Sequence, residues 1–191
     1  MTAGRTVNSE SQHWGTPRKY VDSVKQVFGG VVGLDPCSNP FSVVGAEHAY
    51  ALPENDGLEE SWDASTIYVN PPYGSDRSRG TTIRHWLAKC AEAHELFGAE
   101  VIALVPVAPN TRHWKDSIFG KAEAVCFLYD TRLKFLESGR SGGKGAPMAC
   151  AMVYWGRHRE KFAIVFDEHG ATVNLSDLKC RNLGAHGMLA I

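Results

Sequence analysis

The chain contains the segment Ile67-Tyr68-Val69-Asn70-Pro71-Pro72-Tyr73-Gly74. Its first three residues are apolar and partly β-branched, which predicts a short buried strand. Two prolines then end the strand, because neither can donate a hydrogen bond to a sheet. Asn70 is therefore expected at the carboxyl end of a strand, which is where ligands bind in open α/β sheets.

Asn70, Pro71, Pro72 and Tyr73 suit the binding of an amino group attached to an aromatic ring. An Asn side-chain oxygen and a proline-fixed backbone carbonyl are both acceptors. Together they can hold two amino hydrogens and favour a pyramidal, more nucleophilic nitrogen. The ring of Tyr73 offers a surface on which a planar base stacks. The alternative interpretation is an ordinary turn at the end of a strand.

The overall composition indicates a globular protein. The chain has 191 residues, of which 43% are hydrophobic and 21% charged, and its net charge is −1. This charge argues against coating of nucleic acid by bulk charge but not against local contact. Because residues 1–12 are polar and the five cysteines are odd in number and widely spaced, we expect a cytoplasmic protein without disulfides, zinc or any other metal.

The amino-terminal part contains a helix signal. Residues 1–13 are expected to be flexible, and a single domain is expected over residues 14–191. After Trp14, an amphipathic pattern predicts a helix with Thr16 as N-cap, Pro17 at its first position and Gly29-Gly30 at its end. Trp14 has two interpretations, a core aromatic residue at the helix start or a ligand contact.

A second polar segment follows the first predicted strand, Val31–Leu34. It reads Asp35-Pro36-Cys37-Ser38-Asn39-Pro40. A carboxylate and small residues at the end of a parallel strand suit a nucleoside-like cofactor, although a simple Asp-Pro turn explains the same residues. Farther along, Asp56 either accepts a hydrogen bond from an adenine amino group or initiates the turn that follows it.

The remaining pattern indicates an α/β fold with a mostly parallel sheet and a late antiparallel strand. Apolar spacing predicts a helix over Ile83–Phe97 that stops at Gly98. Three further apolar segments predict strands, namely Val101–Val105, Ala124–Leu128 and Met148–Trp155. From about residue 157 we expect a small β appendage, with a strand at Phe162–Phe166.

Basic residues concentrate in two glycine-rich segments, 74–82 and 139–145. The two segments contain Arg77, Arg79, Arg140 and Lys144, and Arg84 lies two positions after the first segment. Such loops are candidate phosphate-contacting surfaces if the partner is DNA or RNA, or else they are solvated flexible loops. The second segment does not match a nucleotide phosphate cradle, because it lacks the spacing and a following helix.

Together these motifs resemble the phage-type DNA adenine-N6 methyltransferases of the Dam family. The resemblance covers about Trp14 to Trp155 and includes Leu-Asp-Pro-Cys, Asp-Gly-Leu, Val-Asn-Pro-Pro-Tyr-Gly and the segment Thr131–Phe135. It implies a Rossmann-like methyltransferase fold, S-adenosylmethionine as cofactor, DNA as partner, and the cytoplasm of a bacterial host as location.

The resemblance also implies roles for individual residues. Asn70, Pro71, Pro72 and Tyr73 would hold the target adenine. The residues assigned to the cofactor are Trp14, Thr16, Pro17, Asp35, Pro36, Cys37, Asn39 and Asp56. The residues assigned to DNA are Arg77, Arg79, Arg84, Arg132, Arg140 and Lys144.

Two features depart from the family pattern. The turn after the first strand is not the Gly-x-Gly form of most methyltransferases, and the short interval between Asp35 and Asn70 leaves little room for the usual helix and second strand. Other acceptors with a planar amine fit the same motif, namely cytosine N4, an RNA adenine or a protein glutamine. A catalytically silent nucleic-acid-binding module is a further alternative.

Overall fold

A computed structural model describes residues 14–130, 132–141 and 148–178 of the protein. The helices that lie wholly within these residues are α1 (Arg18–Phe28), α2 (Ile83–Phe97) and α3 (Arg159–Phe166), and Trp114–Ile118 forms a short π-helix. The strands are β1 (Trp14–Gly15), β2 (Leu34–Asp35), β3 (His48–Ala49), β4 (Thr66–Val69), β5 (Ser75–Asp76), β6 (Thr81–Thr82), β7 (Glu100–Pro106), β8 (Ala124–Leu128), β9 (Leu136–Glu137), β10 (Cys150–Trp155) and β11 (Gly170–Asn174).

A seven-stranded mixed sheet is the framework of the fold. Its strand order is β11-β8-β10-β7-β4-β2-β3. The pairs β3/β2, β2/β4 and β4/β7 are parallel, whereas β7/β10, β10/β8 and β8/β11 are antiparallel. A mixed α/β fold is thus confirmed. The expected predominance of parallel pairing holds only in the half of the sheet that contains β4.

Both faces of the sheet are buried, as the central strand β7 shows. Val101, Ala103 and Val105 belong to one core cluster. Ile102 and Leu104 belong to the other. The first cluster packs under α2 and the π-helix, and the second under α1 and α3. Alternate residues of a strand point to opposite faces of the sheet. Because both faces are buried, β7 has apolar side chains at consecutive positions.

The structure corrects the amino-terminal ends of two elements. Helix α1 begins at Arg18, with Pro17 in the N-cap position, so Thr16 is not the cap. The Thr16 hydroxyl instead forms a hydrogen bond with the Tyr68 hydroxyl, 2.6 Å away. The first predicted strand begins late, at Leu34. The Gly33 N–H donates to the side-chain oxygen of Thr66 (2.9 Å), which takes it out of the strand ladder.

The predicted strand at Phe162–Phe166 is wrong, because these residues lie in α3. Phe162, Val165 and Phe166 are buried. Their spacing of three and four positions is helical and places all three on one face. Strand β11 then joins the edge of the seven-stranded sheet rather than forming a separate β appendage. The expected flexible residues 1–13 lie outside the described part of the chain.

Candidate active site

The segment Asn70–Tyr73 lies at the carboxyl end of β4. This strand is flanked on both sides by parallel strands, β2 and β7, and its last pairing joins Val69 to Ala103 of β7. Pro71 is buried and Pro72 is exposed. The two prolines end the ladder as expected, so the polar group of Asn70 lies at the edge where the parallel strands finish.

The Asn70 side chain is held by the backbone of β1. Its amide nitrogen Nδ2 donates a hydrogen bond to the Trp14 carbonyl oxygen at 3.0 Å. Among the described residues none forms a hydrogen bond with the other end of the amide, Oδ1. Asn70 therefore retains an acceptor at the carboxyl edge of the sheet, which is what the binding of an amino group requires.

Three aromatic residues near Asn70 in the fold pack on one another. Trp14 stacks on Phe135 with ring centroids 5.3 Å apart and planes inclined by 15°. Tyr73 meets the same Phe135 edge-on at 5.9 Å, and its hydroxyl donates to the Leu104 carbonyl at 3.3 Å. Phe135 was not among the predicted site residues. Its position after Arg132 in the motif carrying the resemblance was the available signal.

Asp35 is a buried carboxyl group at the end of β2, the neighbour of β4. Its oxygens accept hydrogen bonds from the Ser42 hydroxyl (3.1 Å) and the Cys37 N–H (3.4 Å). Burial raises the pKa of Asp35 to about 6, although these hydrogen bonds oppose the change. Within residues 14–130, 132–141 and 148–178 no cationic side chain pairs with it.

Cys37 lies between Asp35 and Asn70. Burial raises the pKa of the Cys37 thiol well above its usual value, and the nearby Asp35 charge acts in the same direction. The Asn70 backbone opposes this rise in the pKa of the Cys37 thiol, and its effect is smaller than that of burial. This cysteine therefore remains a neutral thiol and is unsuited to act as a nucleophile.

The turn that contains Asp56 packs directly on the turn after β2. A Cβ atom at Gly57 would overlap the Pro36 carbonyl oxygen, so only glycine permits this approach. The Gly57 carbonyl in turn accepts from the Trp62 indole N–H at 2.7 Å. Two segments that the sequence assigned to one cofactor are thus neighbours in space.

Several predicted residues already have partners. Asp56 accepts from the Leu58 N–H (3.0 Å) and forms an ion pair with Arg79, so it does initiate its turn. The Asn39 side chain accepts from the Phe41 N–H (2.9 Å) within its own turn. Pro17 is half-buried at the start of α1.

The predicted DNA-contacting residues fall into two groups. Arg79 pairs with Asp56, and Arg84 lies 3.6 Å from Asp116. Arg77, Arg132 and Arg140 are exposed and have no ion pair within the described residues. Lys144 lies outside the described residues.

Two kinds of feature are absent from the described part of the chain. No group of three or more His, Cys, Asp or Glu side chains there has the arrangement of a metal site. No helix there has the length and apolarity needed to cross a membrane.

Comparison with known proteins gives one match. The family model described as DNA N-6-adenine-methyltransferase (Dam) matches residues 3–183, which is most of the chain. Neither the curated proteins nor the solved structures contain a match. The family resemblance that the sequence motifs predicted is therefore confirmed.

Proposed function

The chain belongs to the DNA N-6-adenine-methyltransferase (Dam) family, and we propose that it performs this reaction at the carboxyl edge of β2, β4 and β7. Membership makes it an enzyme that methylates adenine N6 in DNA, and the family implies S-adenosylmethionine as methyl donor. The proposal concerns the residues that bind the base, the donor and DNA.

One observation carries the proposal, namely the oriented amide of Asn70. Because Nδ2 donates to the Trp14 carbonyl, Oδ1 is the end available to an adenine amino group. The Pro71 carbonyl supplies a second acceptor, fixed by the proline ring. Two acceptors on the two N6 hydrogens draw the nitrogen lone pair out of conjugation, which prepares it to attack a methyl group.

The donor site is proposed around Asp35. S-adenosylmethionine supplies a methyl group activated by a positively charged sulfur. A buried carboxylate without a cationic partner in the described residues suits a positively charged ligand. The residues assigned to this site are Trp14, Thr16, Pro17, Asp35, Pro36, Cys37, Asn39 and Asp56. The turn that contains Asp56 lies beside the site because Gly57 packs on the Pro36 carbonyl.

The target base has to leave the DNA stack to reach Asn70, at a cost of about a few kcal/mol. Trp14 and Tyr73, which are partly exposed and pack on buried Phe135, are proposed to offer stacking surface for this base. Arg77, Arg132 and Arg140, which are exposed, are proposed to contact phosphates, and Lys144 stays a prediction. Arg79 and Arg84 have acidic partners and are proposed to act on DNA only indirectly.

We also propose a Rossmann-like methyltransferase fold in a single domain from residue 14. The order β3-β2-β4-β7, with all pairs parallel, supports it, as does the insertion of antiparallel β10 between β7 and β8. No observation favours cytosine N4, RNA, a protein glutamine or a silent module over adenine in DNA.

The test is transfer of a labelled methyl group from S-adenosylmethionine to adenine-containing duplex DNA, RNA and protein, followed by hydrolysis and mass analysis. A duplex of dG and dC alone is the matched control. We expect label in N6-methyl-2′-deoxyadenosine and none in the control duplex. Label confined to RNA, protein or cytosine would overturn the proposal.

A further inference from the structure

We infer that the amino-terminal strand β1 orients the catalytic amide, with Trp14 as a positioning residue. The inference rests on the proposed function of Asn70. A side-chain amide has a donor end and an acceptor end of nearly the same shape, and only the acceptor end can hold an adenine amino group. Some feature of the protein must therefore select between the two orientations.

The Trp14 carbonyl makes this selection. A backbone carbonyl can accept but not donate, so it binds Nδ2 and excludes Oδ1. The observed distance of 3.0 Å between Nδ2 and the carbonyl oxygen is that of a direct hydrogen bond. A rotated amide would lose this bond and place two oxygen atoms against each other. The base-binding oxygen is thereby oriented before the substrate arrives.

The carbonyl itself is fixed from two sides. On one side, Trp14 and Gly15 pair with Glu137 and Leu136 of β9, and the Trp14 ring stacks on buried Phe135. Backbone pairing and ring stacking act on the same residue, so the carbonyl has little freedom to turn.

On the other side, the next residue after Gly15 is attached to β4 itself. The Thr16 hydroxyl forms a hydrogen bond with the hydroxyl of Tyr68, a fully buried side chain on β4, the strand that directly precedes Asn70. Residues 14–16 therefore link β9 to β4, and the distance from Trp14 to Asn70 is set by both.

Substitution of Asn70 by Asp provides a sharp test. A carboxylate has acceptor oxygens at both ends and nothing to donate to the Trp14 carbonyl, so orientation no longer matters. Trp14→Ala keeps the backbone carbonyl but removes the ring whose stacking on Phe135 fixes it. If the fixed carbonyl orients the amide, Trp14→Ala should lower kcat with Asn70 present and have little further effect with Asn70→Asp. A purely structural role of Trp14 would lower kcat in both backgrounds alike.

The experiment measures kcat for the wild type, Trp14→Ala, Asn70→Asp and the double variant, at saturating S-adenosylmethionine and DNA. We expect Trp14→Ala to lower kcat by about tenfold in the wild-type background and by less than about twofold in the Asn70→Asp background. Trp14→Phe, which keeps a ring for stacking on Phe135, should recover most of the loss. Equal losses in the two backgrounds would overturn the inference.

A second readout does not depend on activity. The side-chain amide signals of Asn70 in a ¹⁵N-labelled sample are assigned by their absence in Asn70→Asp. We expect Trp14→Ala to shift these signals and speed their hydrogen exchange, and Trp14→Phe to restore them. Unchanged signals in Trp14→Ala would refute the orienting role, whereas a wild type that fails to methylate DNA would refute only the proposed function.

Discussion

At the scale of single residues, the proposed site places Asn70 and Asp35 at two adjacent strand ends, with a different role for each. Asn70 is neutral and half-buried, and its amide is oriented by the hydrogen bond to the Trp14 carbonyl, so we propose that it binds through Oδ1. Asp35 is buried and ionises with a pKa of about 6. An uncharged acceptor suits a neutral adenine amino group, whereas a carboxylate suits a cationic donor.

The raised pKa of Asp35 gives a prediction for stability without ligand. A group whose pKa is raised in the folded state stabilises the fold below its unfolded pKa, and this contribution is lost as the pH rises through about 6. The free energy of unfolding, relative to that of Asp35→Asn, should therefore fall by up to about 3 kcal/mol between about pH 4 and pH 8. Urea unfolding at a series of pH values measures this.

The exposed residue Asp22 on α1 supplies the matched control, Asp22→Asn. A free-energy difference between wild type and Asp35→Asn that does not change with pH would contradict the assignment. Addition of S-adenosylmethionine should reduce the difference at high pH, because a cation then balances the buried carboxylate.

At the scale of elements, the cofactor side of the site depends on contact between two turns. Gly57→Ala places a Cβ on the Pro36 carbonyl oxygen and forces the turns apart. We expect it to lower the free energy of unfolding by about 1 to 3 kcal/mol and to weaken binding of S-adenosylmethionine. Denaturant unfolding and titration calorimetry measure the two effects.

Ser61→Ala, at an exposed position of the same segment, is the control for this substitution. Unaltered stability and donor affinity in Gly57→Ala would show that the two turns move independently.

Elements with a strong local signal were predictable from the sequence. Helix α2 spans Ile83–Phe97 and ends at Gly98 in a left-handed conformation, as apolar spacing and the glycine predicted. Helix α3 was mistaken for a strand because its apolar residues, 162–166, are consecutive and span little more than one helical turn. Periodicity distinguishes poorly between the two structures at that length.

At the scale of the whole molecule, the components of the site that sequence reasoning missed depend on long-range contacts. Asn70 and Asp35 were predicted as site residues because each lies at the carboxyl end of a predicted strand. The pairing of β1 with β9 and the placement of Phe135 under Trp14 join distant parts of the chain, for which neither segment carries a local signal. The ion pair between Arg79 and Asp56 likewise joins separate segments, and neither segment carries a local signal for it.

Charge gives a prediction at this scale. With a net charge of −1, the protein has to bind DNA through a few local cations. Arg77→Gln should weaken binding to all DNA sequences and reduce the slope of log affinity against log salt by about one. Arg79→Gln should mainly lower stability, by less than about 1 kcal/mol, because its ion pair with Asp56 is partly exposed.

Salt-dependent binding isotherms and thermal unfolding of the two variants distinguish these roles. A smaller salt slope in Arg79→Gln together with an unchanged slope in Arg77→Gln would reverse the assignment.

The central claim is that the Asn70 amide acts in the transfer step, and single-turnover methylation of DNA by Asn70→Ala tests it most directly. Asn174→Ala, which alters an exposed asparagine on β11, is the control. We predict that Asn70→Ala slows transfer of the labelled methyl group to adenine by roughly 100-fold or more, with donor affinity unchanged within about twofold. A transfer rate close to that of the wild type would contradict the account.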